Sequence, residues 1–551
     1  MPSRTIIVGG VAGGASCAAR LRRVDEQAEI VIYERGPHVS FANCGLPYHV
    51  GGIIADEAKL LVATPTLLKD RFRIEVHVRH EVVAIDRAAK TVTVRDLDTG
   101  SEQVDRYDQL VLSPGANAII PDIPGVGLPG VFTVRTVPDA RTVREWIDSR
   151  HATRTLVVGG GFIGLEMAEN LRHRGMQVTV IEKAGQVMPP LDAEMAALVR
   201  ARLEEHGVRV ILGDAAASIT AAAGALQVRS ERGVKVEVDL VILAIGVRPE
   251  TALAKQAGLQ LGPRGGFQVD AHMRTSDRSI FAVGDAVEVV DVATGMPALI
   301  PLAGPANRQG RLVADVIAGR EVRFAGVQGT AVCGVFGLTA AMTGASEKAL
   351  ARTGQPAPAV VHLHPAHHVG YYPGAKPIHL KLLYRREDGR ILGAQAIGEE
   401  GVERRIDVIA TAMRLGGTVE DLADLELCYA PQYGAAKDPV NLAGMVAVND
   451  RDGDAPAMPW STADDQAFTL LDVREPGEWQ AGHHPRAIHI PLHLVRDRLS
   501  EIPRDRPVAV YCAGGQRSYY AVRVLRQSGF DARNLAGGWQ TARQVAAASG
   551  S

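Results

Sequence analysis

Five cysteines, Cys17, Cys44, Cys333, Cys428 and Cys512, have the widest chemical range of any residues in this 551-residue sequence. They are too few and too scattered for a disulfide framework, which points to a reducing compartment where single thiols stay reactive. Cys44 lies in Ser40-Phe41-Ala42-Asn43-Cys44-Gly45-Leu46-Pro47-Tyr48 and has no second cysteine four or five positions away, so a C-x4-C redox pair is excluded. A lone thiol can cycle through a mixed disulfide, a persulfide or a sulfenic acid. Cys512 ends a β-rich run and is followed by Ala-Gly-Gly-Gln, Arg517 and a helical stretch. Such a loop would ring the sulfur with N–H groups, lower its pKa and stabilise an anionic persulfide. Loops that bind phosphate or arsenate share this logic, so the loop alone leaves its chemistry open.

Two glycine-rich turns must position a different chemistry. Thr5–Val8 reads as a strand, Gly9-Gly10-Val11-Ala12-Gly13-Gly14 as a turn, Ala15–Arg23 as a helix, and Glu29–Tyr33 as a second strand ending at Glu34. The pattern returns as strand Thr155–Val158, turn Gly159-Gly160-Gly161-Phe162-Ile163-Gly164, helix Leu165–Arg174, and strand Gln177–Ile181 ending at Glu182. A strand–turn–helix of this kind sets a pyrophosphate against free N–H groups, and the acid after the next strand binds a ribose hydroxyl. Gly159, Gly161 and Gly164 fill G-x-G-x-x-G, with Glu182 18 positions further on. Glu182 would repel a 2′-phosphate, which favours NADH, while the neighbouring Lys183 leaves NADPH possible. In the first copy Val11 stands where the middle glycine belongs, and Glu34 follows Gly14 by 20 positions.

The rest of the chain supplies alternating strands at Gln109–Leu112, Leu240–Ala244 and Ser279–Val283, then strands near Val360–Leu363 and Ile378–Leu383 and a helix at Glu403–Leu415. Asn449–Pro459 is rich in Asp, Gly and Pro and reads as a linker; a small α/β pattern follows it. Hydrophobic residues make up 46% and charged residues 22%, ordinary globular values that exclude dominant disorder. Sixty basic against 62 acidic side chains argue against a nucleic-acid partner. Fifty-eight glycines beside 5% aromatics favour close backbone approaches over an aromatic binding face. No apolar run reaches the roughly 18 residues of a spanning helix, and the glycines after Val8 spoil a signal peptide, so a cytoplasmic protein without membrane contact is expected. His362, His364, His367 and His368 alternate along a strand into a loop and read as structural or interfacial, so no metal site is expected.

The two turns, with Leu110-Val-Leu-Ser-Pro-Gly-Ala116, Leu243-Ala-Ile-Gly-Val-Arg-Pro249 and Ile280-Phe-Ala-Val-Gly-Asp285, resemble the pyridine nucleotide–disulfide oxidoreductases over residues 1 to about 445. The resemblance implies FAD at the first turn, with Asp285 on its ribityl chain, and NADH at the second. The implied cofactor contacts are Gly9, Gly10, Val11, Ala12, Gly13, Gly14, Glu34, Arg35, Val82, Gly115 and Asp285 for the first. For the second they are Gly159, Gly161, Phe162, Ile163, Gly164, Glu182 and Gly246.

The Cys44 segment and the Val11-containing turn are similar to the coenzyme A-disulfide reductase branch and its NADH oxidase and peroxidase relatives. That likeness implies a catalytic Cys44 and coenzyme A contacts at Ser16, Arg20, Arg23, Ser40, Asn43, Asn307 and Lys437; Arg20 and Arg23 share a helix face and could grip phosphate together. It also implies a homodimer whose Tyr372 (or Tyr371) and Tyr429 act across the interface as proton donors. Asp472-Val-Arg474-Glu475, Glu478-Trp479, Cys512 to Arg517 and Gly537-Gly538-Trp539 resemble a rhodanese domain, with Cys512 and Arg517 in its active loop. The expected architecture is α/β: two Rossmann-like domains, an α+β dimerisation domain and a C-terminal α/β rhodanese domain. Its boundaries are FAD-binding 1–150 and 271–328, NAD(H)-binding 151–270, dimerisation 329–448, linker 449–462 and rhodanese 463–551. The implied activity is NADH-driven reduction of CoA persulfide, polysulfide or CoA disulfide. The alternatives are an NADH oxidase or peroxidase working through a sulfenic acid, and a sulfurtransferase or redox-sensing adaptor.

Overall fold

The computed structural model describes residues 3–222, 224–463 and 466–549; the outermost ends of the first and last expected domains lie outside these. The chain divides into two compact units, residues 1–183 with 213–327 and residues 184–212 with 328–551.

In the first unit, Arg4–Val8 pairs in parallel with Glu29–Glu34 on one side and Gln109–Leu112 on the other, and Ile280–Ala282 and Glu75–Val78 complete the sheet. These strands are apolar without alternation because both faces are covered: Ile6, Ile7, Ile32, Val111 and Ala282 are all buried. A second parallel set places Arg154–Val158 between Gln177–Glu182 and Leu240–Leu243. The helices after the two glycine turns run Ala12–Val24 and Phe162–His173, each starting three residues earlier than the sequence pattern implies. Glycine is a poor helix former, so propensity ends the turn too late; close packing sets the true start. Helix Ala303–Ile317 crosses the first of them so closely that a Cβ on Gly310 would lie 2.1 Å from the Gly13 carbonyl oxygen.

The second unit holds an antiparallel sheet in the order Ala331–Val335, Leu338–Gly344, Ile391–Gly398, Ile378–Tyr384, Ala359–Leu363. Helix Val402–Arg414 covers it with Val402, Ile406, Ile409 and Met413, one stripe at helical spacing. Lys381 projects from this sheet fully buried, its Nζ 2.9 Å from Asp192, 2.5 Å from Glu194 and 2.5 Å from Glu347. Its charge is retained because those three carboxylates outweigh the desolvation that lowers its pKa.

The stretch read as a linker is structured. Helix Pro439–Arg451 runs into it, Ala457–Met458 is an edge strand, and Trp460 is buried among Leu470, Tyr511 and Leu535. Asp450, counted as a linker residue from its composition, is buried; it accepts from the Tyr384 hydroxyl, from Arg386 at 2.8 Å and from the Ala457 N–H at 2.7 Å. A parallel sheet follows, in the order Ala457–Met458, Ala532–Leu535, Val508–Tyr511, Thr469–Asp472, Ile488–His489. Its last helix, Gly538–Ser549, is fastened to the antiparallel sheet: His364 hydrogen-bonds Thr541 at 2.9 Å and Gln544 hydrogen-bonds His379 at 3.1 Å.

Candidate active site

The two glycine turns are built alike. Gly159 takes φ +109° and Gly9 φ +89°, backbone that favours glycine, and a Cβ on Gly164 or Gly14 would stand 1.9 Å from the carbonyl oxygen of Gly159 or Gly9. Neither N-cap residue caps its helix with its own side chain and neither first turn holds an acid, which leaves N–H groups for an anion; in the first helix the Gly14 N–H donates to Ser113 Oγ at 3.1 Å. At Gly161 a Cβ would meet nothing within 4 Å, so this side of the turn is open. Val11 is the N-cap of its helix and Ala12 the first helical residue. Glu34 and Glu182 have a second duty beyond the expected one. Gly10 N–H donates to Glu34 at 2.9 Å and Gly160 N–H to Glu182 at 2.7 Å, so each acid braces its own turn. Around the first turn, Arg35 donates to Asn117 at 2.9 Å and Val82 is buried. Gly115 lies beside Arg135, Gly246 has φ +109°, Phe162 is half-buried and Ile163 exposed.

The Cys44 segment hangs from the first turn. Ser40 takes φ +49°, an uncommon conformation for a residue with a side chain, and its N–H donates to the Gly10 carbonyl at 2.8 Å. Cys44 then sits in the short helical turn Asn43–Gly45 and is exposed as a residue. Partial desolvation of its thiol is the largest influence raising its pKa, Glu166 and Asp285 add to it, and the Arg135 guanidinium opposes them. Arg135 gathers the site: it pairs with Asp285 at 3.2 Å and donates to the Ala116 carbonyl at 2.8 Å. Oriented to satisfy both groups, the Asn43 amide donates to the Arg135 carbonyl at 2.8 Å and accepts from its guanidinium. Glu166, from the second nucleotide helix, accepts from the Tyr48 hydroxyl at 3.3 Å, and burial raises its pKa. The sequence reading missed Arg135 and Glu166. Glu166 carried a signal, an acid set between the buried Leu165 and Met167; Arg135 carried none.

The residues assigned to coenzyme A are only partly gathered. Ser16 and Asn307 hydrogen-bond directly. Arg20 and Arg23 have separate partners: Arg20 donates twice to Asp315, at 3.0 and 2.7 Å, while Arg23 donates to the Ala19 carbonyl at 2.9 Å. Asp315 lies 295 positions from Arg20, beyond what helix spacing can reveal. In the second unit Lys437 is exposed, and the tyrosines sort themselves: the Tyr371 and Tyr429 hydroxyls share a 2.9 Å hydrogen bond, whereas Tyr372 packs edge-on to His368. Cys17 and Cys333 are buried, Cys17 with its thiol pushed up to about 12 by desolvation, and Cys428 is exposed beside Tyr429. Among the described residues the one carboxylate cluster with metal-like geometry is Asp192, Glu194 and Glu347, and Lys381 lies among them.

Cys512 lies at the floor of the second thiol site. Its sulfur accepts from the Gly515 N–H at 3.1 Å and from Ser518 Oγ at 3.4 Å, one backbone N–H and one hydroxyl where the sequence implies a ring of N–H groups. The first turn of helix Gly538–Ser549 holds the strand end in place, Trp539 N–H donating to the Cys512 carbonyl at 2.7 Å and Gln540 N–H to that of Ala513 at 3.0 Å. Arg517 is forked on Glu478 at 2.6 and 2.7 Å, and buried Arg474 on Asp472 at 2.6 to 3.0 Å. An arginine already held by a carboxylate is poorly placed to clamp a phosphate dianion, which turns the loop away from phosphatase chemistry.

Two nucleotide turns in one chain, with a lone thiol suspended from the first, narrow the class. Residues 3–310 match the family described as pyridine nucleotide-disulphide oxidoreductase, residues 330–438 its dimerisation domain, and residues 460–543 the rhodanese-like domain. The chain belongs to the pyridine nucleotide-disulphide oxidoreductase family and carries a C-terminal rhodanese-like domain.

Within the family its likeness is specific. It is 46% identical to the reduced CoADR-RHD of Bacillus anthracis, with a TM-score of 0.97 over 99% of this chain and 98% of that one. It is 38% identical to an NAD-dependent persulfide reductase from A. fulgidus, with a TM-score of 0.91 over 98% and 99%. The coenzyme A disulfide reductase of Staphylococcus epidermidis is 34% identical over 450 residues, 81% of this chain and 100% of the relative. No helix among the described residues is long and apolar enough to cross a membrane.

Proposed function

We propose that the protein is a homodimeric, cytoplasmic FAD enzyme that uses NADH to reduce sulfur bound to coenzyme A: CoA persulfide, polysulfide or CoA disulfide. The observation that carries this reading is Cys44, an exposed residue with no partner cysteine, under the electrostatic influence of Arg135 and Glu166 and on a segment anchored to the first nucleotide turn. The names of the relatives point to the same substrates. The first turn fits FAD pyrophosphate, since its helix presents uncapped N–H groups. The second fits NADH, since Glu182 stands where a 2′-phosphate would be repelled. When bound, these cofactors supply the electron pair that returns Cys44 to its thiolate after each turnover.

The chain's own residues do the sulfur chemistry. The Cys44 thiolate attacks the carbon-bound sulfur of CoA persulfide, the S–S bond breaks, HS⁻ leaves, and a Cys44–CoA mixed disulfide remains. Two electrons and a proton then release CoA thiol and the Cys44 thiolate. Arg135 favours that thiolate, and the tyrosine pair Tyr371–Tyr429 is a candidate proton donor to the departing thiolate of a partner subunit. Ser16, Arg20, Arg23, Ser40, Asn43, Asn307 and Lys437 are the proposed coenzyme A contacts. Cys512 takes a sulfane sulfur as a persulfide and passes it to coenzyme A. The test is NADH-dependent release of sulfide and CoA from CoA persulfide, of CoA from CoA disulfide and of sulfide from inorganic polysulfide, in wild type, Cys44→Ser and Cys512→Ser, with and without a sulfur donor for Cys512. Cys44→Ser should lose all three reactions and Cys512→Ser only delivery from a sulfur donor. Robust peroxide or oxygen turnover without CoA would instead make Cys44 a sulfenic-acid centre.

A further inference from the structure

The ion pair between Glu478 and Arg517, the residue that ends the Cys512 loop, bears on which donor loads it. Between Cys512 and Arg517 the loop residues Ala513, Gly514, Gly515 and Gln516 carry no charge. Positive character at the sulfur therefore comes from backbone N–H groups and from arginine side chains. Both arginines flanking the loop are already spent on carboxylates: Arg474 is buried and forked on Asp472, and both terminal nitrogens of Arg517 lie on Glu478 at 2.6 and 2.7 Å. Glu478 is fixed from the other side too, because its carboxylate accepts the Glu475 N–H at 3.0 Å and so caps its own short helix. The Arg517 guanidinium holds the Glu478 carboxyl down at about 2, so this negative charge persists across the working pH range. Arg517 also feels the negative charge of the Cys512 thiolate and, more weakly, that of Glu475.

The site can thus stabilise one anionic sulfur, through the Gly515 N–H, Ser518 and the charge of Arg517, while Glu478 and Glu475 set two acids beside that guanidinium. A thiosulfate dianion carries its sulfonate outward from the sulfane sulfur, onto that rim. An organic persulfide places a carbon chain there. We propose that Glu478 is a specificity-determining residue that closes the Cys512 site to thiosulfate and selects sulfane sulfur carried on an organic thiol, as in a persulfide. The transfer is Cys512–S⁻ + R–S–S⁻ → Cys512–S–S⁻ + R–S⁻: the thiolate attacks the terminal sulfur, one S–S bond forms, one breaks, and the leaving thiolate keeps the electron pair. The proposal rests on the reading of Cys512 as a sulfur carrier.

The test uses the full-length holoenzyme without NADH. Peptide mass spectrometry follows the rate at which the Cys512 peptide gains one sulfur from glutathione persulfide or from thiosulfate. Wild type should load faster from the persulfide. Glu478→Gln, which keeps the shape and hydrogen-bonding reach, should shift the donor ratio about tenfold toward thiosulfate, the scale expected on removing one like charge from a partly desolvated anion site. Glu478→Asp, which keeps the charge, should retain the wild-type preference. A wild type that loads faster from thiosulfate, an unchanged ratio in Glu478→Gln, or an equal shift in both variants overturns the assignment of Glu478. Failure of the wild-type Cys512 peptide to gain sulfur from either donor overturns the carrier reading, and the assignment falls with it.

Discussion

Gly161 separates a glycine kept for its ligand from one kept for the fold. Replaced by alanine, its new Cβ meets no protein atom within 4 Å, and its φ of -82° with ψ of -172° is backbone any residue adopts. Folding stability should therefore stay within about 0.5 kcal/mol of wild type. The methyl group would point into the space through which a pyrophosphate reaches the N–H groups of helix Phe162–His173. Losing one charge-assisted hydrogen bond there costs about 1.5–3 kcal/mol, a roughly ten- to hundredfold rise in the NADH dissociation constant. Gly159→Ala is the contrast, because its Cβ would lie 2.3 Å from the Ala244 carbonyl oxygen at φ +109°. That variant should lose at least 1–3 kcal/mol of stability. Thermal unfolding and NADH titration of the two purified variants give both quantities. Unchanged NADH affinity in a stable Gly161→Ala protein would refute the placement of the dinucleotide at this turn.

Four further perturbations test other parts of the molecule. Arg135→Gln should move the pH profile of Cys44 alkylation upward, since the guanidinium is the group that lowers this thiol's pKa against desolvation, Glu166 and Asp285; iodoacetamide kinetics followed on the Cys44 peptide give the shift. Lys381→Met should cost about 3–5 kcal/mol in denaturant titrations by leaving buried carboxylates unpaired. Acid should weaken the same cluster: against desolvation, His362 and Lys381 hold the Glu194 carboxyl far below its usual range, so its contribution is complete above about pH 4.3 and is lost as pH falls through the depressed folded value. Asp450→Ala should speed proteolytic cleavage within residues 449–457 about tenfold, because it frees Tyr384, Arg386 and the Ala457 N–H.

The sequence pattern located the parts of the molecule that local rules control. Buried parallel strands are runs of Val and Ile, so Gln109–Leu112 is found at its true limits, and each glycine turn announces a helix. Helix starts were placed late because Gly13 and Gly14 serve packing at the expense of propensity. The linker was misjudged for a related reason: Asp450 scores as a loop residue, yet three partners bury it. At the Cys44 site the cysteine, Asn43 and Asp285 were legible from motif. Arg135 was not, since its role depends on contacts with Asn43, Ala116 and Asp285, which lie up to 150 positions away. Arg20 likewise pairs with Asp315, 295 positions away, a partner that helix spacing cannot reveal.

The last helix has an owner on each side. One face closes the Cys512 loop through Trp539 and Gln540, while Thr541 and Gln544 bind histidines of the antiparallel sheet. Burial holds His364 near a pKa of about 3, so this attachment stays uncharged at neutral pH and does not weaken with salt as an ion pair would. A tail module joined this way is no longer portable. Its active loop and its mooring share a single stretch of backbone, so a relative that exchanged the module for another would need a matching pair of histidines to receive it.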